Sequence, residues 1–195
     1  QYIKFHAACR HIHPTIDGLL AVMREQKLTF QDLDTVHVTT YPVAISFCGA
    51  KELPDTAEGA KFSLAFSSAM AAYFGDAGEH RYTQSTVANE EIRALASRVT
   101  CSIGARWEQA YPRERGAELS IRTKAGATLT IDVPLPNGEP ENPASDDDFI
   151  RKFKQNTSDL DQAAVKQLLE VLLTLEQHPL SKLTQVASAA LGQGK

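Results

Sequence analysis

Residues 118–133 read ELSIRTKAGATLTIDV, and this stretch decides the class of the fold. Leu119 and Ile121 alternate with polar neighbours, Ala125-Gly126 supplies a turn, and Leu129, Ile131 and Val133 alternate again. A period of two on both sides of a glycine turn predicts a β-hairpin with one apolar face. Upstream, Asp34 to Tyr41 places Val36, Val38 and Thr40 on one side and Thr35, His37 and Thr39 on the other, a further half-buried strand that Pro42 ends. Val99 to Ile103 reads as a fourth.

Helical signals lie between these strands. Pro14 sits where a first helical turn tolerates proline, and Ile16, Leu19, Leu20 and Met23 follow at helical spacing. Asp55-Thr56-Ala57-Glu58 has capping-box spacing ahead of an Ala/Ser/Phe-rich run that stops at Gly75. Residues 87–98 predict another helix, with Ile92, Leu95, Ala96 and Val99 on one face. After the hairpin, Pro134 to Ala144 holds four prolines, a glycine and two asparagines, so it is a connection. Two helices are expected beyond it: one capped by Ser145 with Phe149 and Phe153 facing the core, the other capped by Ser158 with a stripe of Ala164, Val165, Leu168, Leu172 and Leu175. The final Ala/Gly-rich residues read as frayed.

This order predicts an α+β fold: a two-layer sandwich of an antiparallel sheet of about four strands with helices on one face. Residues 1–144 form the expected α+β domain, and 145–195 a C-terminal helical segment with more apolar surface than the sheet can cover.

Composition narrows the function classes. With 20 Lys+Arg against 24 Asp+Glu the net charge is −4, so a bulk basic face for nucleic acid is lacking. Three scattered cysteines, Cys9, Cys48 and Cys101, fit a reducing compartment, and the expectation is the cytoplasm. No apolar run approaches the ~20 residues of a membrane span, and no signal sequence opens the chain. The start at Gln1, running at once into Lys4-Phe5-His6, predicts a piece of a longer protein.

Candidate chemistry concentrates in residues 4–14, KFHAACRHIHP, which hold three of the six histidines within eight positions. If the segment is extended, Cys9, His11 and His13 share a side as a metal half-site, although no second cluster completes it. Alternatively Cys9 is a thiolate nucleophile beside Arg10 and a histidine. A third reading is an anion pocket: Lys4 and Arg10 give fixed charge, a histidine gives a titratable proton, and the helix opening at Pro14 gives oriented amides. A fourth leaves His6 and His11 as surface residues and His13 as a helix cap. Asp146-Asp147-Asp148 is explained by a helix N-terminus, and Gly138 to Pro143 lacks a phosphate-loop pattern.

The run Cys9-Arg10-His11-Ile12-His13-Pro14-Thr15-Ile16-Asp17, preceded by Lys4, resembles the opening of the C-terminal part of the MmgE/PrpD family, which includes 2-methylcitrate dehydratase, cis-aconitate decarboxylase and iminodisuccinate epimerase. Three further blocks agree in order: Glu58 to Leu64, Tyr111-Pro112, and Gly138 to Pro143 leading to Lys152-Phe153. The resemblance implies a small α+β lid packed on a helical N-terminal domain of the same protein or on a partner subunit. It also implies a cleft between them, no metal or organic cofactor, and a homodimer.

By the same resemblance, His13 and Lys4 are catalytic, Cys9 faces the pocket, and Arg10 clamps a carboxylate; His11 is expected to join Arg10 and Cys9 in binding a small di- or tricarboxylate. Phe66 stands where many members carry a tyrosine. The expected activity is a cofactor-independent lyase or isomerase, first of the 2-methylcitrate dehydratase type, with decarboxylase and epimerase as alternatives. A non-catalytic carboxylate-binding module or partner-dependent subunit is the alternative from another class. The chain alone is expected to be inactive.

Overall fold

A computed structural model describes residues 2–192 of the chain. Helix α1 (His13–Glu25) starts where Pro14 presets a helical φ, and its stripe of Ile16, Leu19, Val22 and Met23 is buried. Strand β1 (Leu33–Thr40) follows, with Leu33, Val36, Val38 and Thr40 turned inward. The chain between β1 and the next strand carries five helices: α2 (Pro42–Cys48), α3 (Ala57–Ala60), α4 (Leu64–Phe74), α5 (Gln84–Val87) and α6 (Glu90–Ala96).

The run expected as one helix from Asp55 is two. Thr56, rather than Asp55, caps α3, and Ser63 caps α4 by accepting the Phe66 amide proton. Gly75 ends α4 at φ 78°, a left-handed conformation suited to glycine. Helix α2 had no sequence signal beyond Pro42 itself, which stands in its first turn.

Strand β2 (Val99–Ile103), the short α7 (Ala105–Ala110), and the hairpin β3 (Ala117–Thr123) and β4 (Thr128–Val133) complete the sheet. Its order is β2-β1-β3-β4. The hairpin is antiparallel and β3 lies antiparallel to β1, with Val36 opposite Ile121 and Val38 opposite Leu119. The expectation of an all-antiparallel sheet needs one correction, because β2 runs parallel to β1. The intervening helices give the long crossover that a parallel neighbour requires. The α+β class and the four strands stand.

Helix α1 crosses the hairpin closely. A Cβ at Gly18 would lie 2.9 Å from Val133 Cγ2 and 3.2 Å from Leu119 Cδ1, so glycine permits the approach. Helix α4 packs between α1 and α6, and the core comprises Ile12, Ile16, Leu19, Val36, Val38, Phe66, Met70, Ile92, Leu95, Leu119 and Ile121.

The chain divides into two units at Ala144/Ser145. The second contains α8 (Asp146–Asn156), α9 (Gln162–Leu173) and α10 (Leu180–Ala190). Ser145 caps α8 in a capping box with Asp148, as the sequence indicates. Phe149, expected to face the core, is 45% exposed. Asp161, not Ser158, caps α9, since its carboxylate is the one within reach of the Ala164 amide, at 2.7 Å. The buried residues of α9 and α10, which pack together, are Val165 and Val171 and then Val186 and Ala190. Ala187, Ala189 and Ala190, among the final residues expected to fray, instead belong to helix α10, while 193–195 lie outside the described residues. No helix among the described residues is long and apolar enough to cross a membrane.

Candidate functional site

The segment leading into α1 is held by three separate parts of the chain. The Ile3 amide donates to Gly138 O at 2.9 Å, Ala7 to Ala77 O at 2.8 Å, and Cys9 to Lys61 O at 2.8 Å. It then tightens into a single 3-10 turn, Arg10–Ile12, before the helix begins. That turn replaces the extended run on which a one-sided Cys9, His11 and His13 set depended, because side chains two apart diverge in a helical turn. One nitrogen of each histidine, His11 Nδ1 and His13 Nε2, is engaged elsewhere, and among the described residues no group of three His, Cys, Asp or Glu side chains is placed to hold a metal ion.

His6 and Asp17 meet across the start of α1. His6 Nε2 donates to Asp17 Oδ1 at 2.8 Å, and Asp17 Oδ2 accepts the Asn137 amide proton at 2.9 Å. The His6 ring lies edge-on to His13, with centroids 5.0 Å apart. His13 is completely enclosed, at 0% exposure. Its Nε2 donates weakly to Ala8 O at 3.3 Å, and Nδ1 has no partner. Burial above all, then the neighbouring charges of His6 and Arg10, lowers its pKa to about 2, so it is a neutral imidazole.

Arg10 is almost as deeply placed, at 7% exposure. Its Nη2 donates to Glu139 Oε1 at 2.5 Å, and the guanidinium lies 4.6 Å from the centre of the Tyr2 ring. Nε and Nη1 are buried without a partner. His11 Nδ1 is 2.6 Å from the Tyr41 hydroxyl. Burial, then the charges of Arg115 and Arg10, lowers the His11 pKa. Lys4 is exposed and makes no ion pair among the described residues.

Cys9 is partly buried. Its neighbour Cys48 is fully buried, and burial followed by the proximity of Cys9 pushes that thiol up, away from thiolate character. Lys61, whose carbonyl holds Cys9, is itself clamped by Glu58 at 2.9 Å and Glu79 at 2.8 Å. Phe66 is packed in the core, so its missing hydroxyl is not at the surface of this unit.

The structure therefore gathers His6, Arg10, His11 and His13 around the start of α1 and leaves Lys4 in the open beside them. Sequence reasoning missed their partners, namely Asp17, Tyr41 and Glu139, and Asn137, whose amide holds Asp17. Glu139 is 129 residues from Arg10, and no local pattern links the two.

No curated protein matches the chain. A family model, the MmgE/PrpD C-terminal domain, matches residues 6–177, which takes in His6 to Asp17, the sheet and the loop that carries Glu139. On that match the chain belongs to the MmgE/PrpD family and carries its C-terminal domain.

Proposed function

We propose that this chain is the C-terminal part of a cofactor-independent lyase or isomerase of small di- or tricarboxylic acids, and that its first activity is a 2-methylcitrate dehydratase-like elimination. The observation that carries the reading is the concentration of Lys4, Arg10, His11 and His13 at one helix start, where Arg10 keeps two buried N–H groups without acceptors. Fixed cations suit substrate carboxylates, and they also stabilise the enediolate charge that forms when the neighbouring carbon loses its proton. In the elimination a base takes that proton and the hydroxyl on the adjacent carbon departs, protonated, as water.

Lys4 meets the substrate and His13 is the base. His13 Nδ1 carries a free lone pair, but at a pKa of about 2 the sealed imidazole is too weak a base to take the proton, so it acts only once opened to the substrate. Its enclosure sets a condition: the segment before it must shift aside for Nδ1 to reach substrate. Cys9 lines the same pocket, and Arg10 and His11 bind carboxylates. The remaining groups come from a helical N-terminal domain or a partner subunit, in a cytoplasmic homodimer.

The pairing of Arg10 with Glu139 and the burial of His13 favour a second reading, a carboxylate-binding module that completes a catalytic centre only with a partner. Incubating the full-length protein that carries this chain with 2-methylcitrate, cis-aconitate and iminodisuccinate separates the possibilities by mass and chirality. Loss of water indicates the dehydratase, loss of carbon dioxide the decarboxylase, inversion the epimerase, and binding without conversion the module.

A further inference from the structure

A second cationic corner lies beside the one assigned to Lys4 and Arg10. Thr40, the last residue of β1, is opposite Ala117, and its hydroxyl donates to Gly116 O at 2.7 Å. Arg115, one residue before Gly116, therefore lies past the end of β1, as does Tyr41, one residue after Thr40. Arg115 is half-buried, has no carboxylate partner among the described residues, and its charge is felt at both Tyr41 and His11.

Tyr41 is fully buried and stacks on Tyr111 with centroids 4.8 Å apart. Its hydroxyl has one partner among the described residues, His11 Nδ1. A buried phenol that keeps its proton must donate it, so the hydroxyl donates to Nδ1. The neutral imidazole is then fixed with its proton on Nε2, a donor that makes no hydrogen bond within the described residues. Phe47, 64% exposed, stands 5.9 Å from the His11 ring and adds an apolar wall.

We propose that Arg115 and His11 form a second carboxylate subsite, with Tyr41 as the positioning residue that aims His11 Nε2–H at the bound anion. The proposal deepens the function argued above and rests on it. Arg115 supplies the charge, His11 a directed hydrogen bond, and Phe47 a surface for the aliphatic carbons between two carboxylates. The ligand class is a small aliphatic polycarboxylate whose outer carboxylate reaches beyond Arg10.

The test uses the 195-residue chain labelled with 15N at histidine, titrated with tricarballylate, an unreactive tricarboxylate, and separately with butyrate and sulfate. Tricarballylate is expected to shift the His11 imidazole signals. Arg115→Met should weaken its binding about tenfold or more, the scale of one charge-assisted hydrogen bond. Arg115→Lys should restore part of the affinity. Tyr41→Phe should move the His11 tautomer signals before any ligand is added, and butyrate should bind far more weakly.

Tricarballylate binding that is lost in Lys4→Met but unchanged in Arg115→Met would overturn the subsite and leave the polycarboxylate reading standing. An Arg115-dependent response to sulfate with none to tricarballylate would keep the anion site and remove that reading. No response of His11 to any of the three anions would overturn the proposal.

Discussion

The Arg10 guanidinium and the Glu139 carboxylate meet at 2.5 Å with both side chains almost out of solvent, 7% and 12% exposed. The sequence-level role given to Arg10, a clamp for a substrate carboxylate, is thus already half occupied by a carboxylate of the chain itself. The pair ties the loop after β4 to the turn that opens α1. The Ile3 and Asn137 amides, bonded to Gly138 O and Asp17, fasten the same loop at two more points.

Removing one partner of a buried pair leaves the other charge uncompensated. Glu139→Leu alone should therefore destabilise the protein by about 3–5 kcal/mol, whereas Arg10→Met with Glu139→Leu should lose much less. Denaturant unfolding of the two singles and the double measures the difference as a coupling energy.

His13 makes stability depend on pH. Its folded pKa of about 2 lies below the unfolded value of 6.5, so below pH 6.5 the unfolded chain takes up a proton that the folded chain refuses. The stability attached to this group is complete above pH 6.5 and falls by about 1.4 kcal/mol per pH unit from there towards pH 2. Between pH 7 and pH 5 the loss should be about 2 kcal/mol, read from denaturation midpoints, and His13→Gln should flatten that part of the profile.

Gly138 has φ +91°, and a Cβ there would sit 2.4 Å from Ile3 O. Gly138→Ala should cost about 2 kcal/mol or more, from the left-handed backbone and the clash together. It should also loosen the opening segment, seen as faster amide exchange at Ile3, whose hydrogen bond ends on Gly138 O.

Asp17 serves two donors, His6 Nε2 and the Asn137 amide. Asp17→Ala should destabilise by about 2 kcal/mol, since hydrogen bonds to a charged group contribute about 1.5–3 kcal/mol each and this one is partly exposed. Asp17→Asn should recover part of that loss, because its carbonyl oxygen still accepts one of the bonds.

Much of the sheet was legible because strand alternation is a local signal. Leu119, Ile121, Leu129 and Ile131 announced the hairpin, and Val36 and Val38 the strand that pairs with it. The direction of β2 was not, since Val99 to Ile103 reads alike in either orientation and only the crossover decides. Ser63 looked like part of a helix because its role as a cap depends on the preceding turn at Lys61. At the site, the residue types in 4–14 pointed to anion chemistry, while their burial and pairing depended on partners far along the chain: Glu139 for Arg10 and Tyr41 for His11. A histidine in a helical first turn gives no hint that it will be sealed as His13 is.

The most direct test of the central claim, that the opening segment is the working wall of a carboxylic-acid lyase or isomerase, is turnover of the full-length protein carrying Lys4→Met. Lys4 is exposed and unpaired among the described residues, so the fold should survive the change. Following loss of 2-methylcitrate, cis-aconitate and iminodisuccinate by mass spectrometry, the account predicts conversion of one of them by the unaltered protein and a fall of about 100-fold or more in kcat/KM in the variant. Conversion at the same rate with Lys4→Met would contradict it.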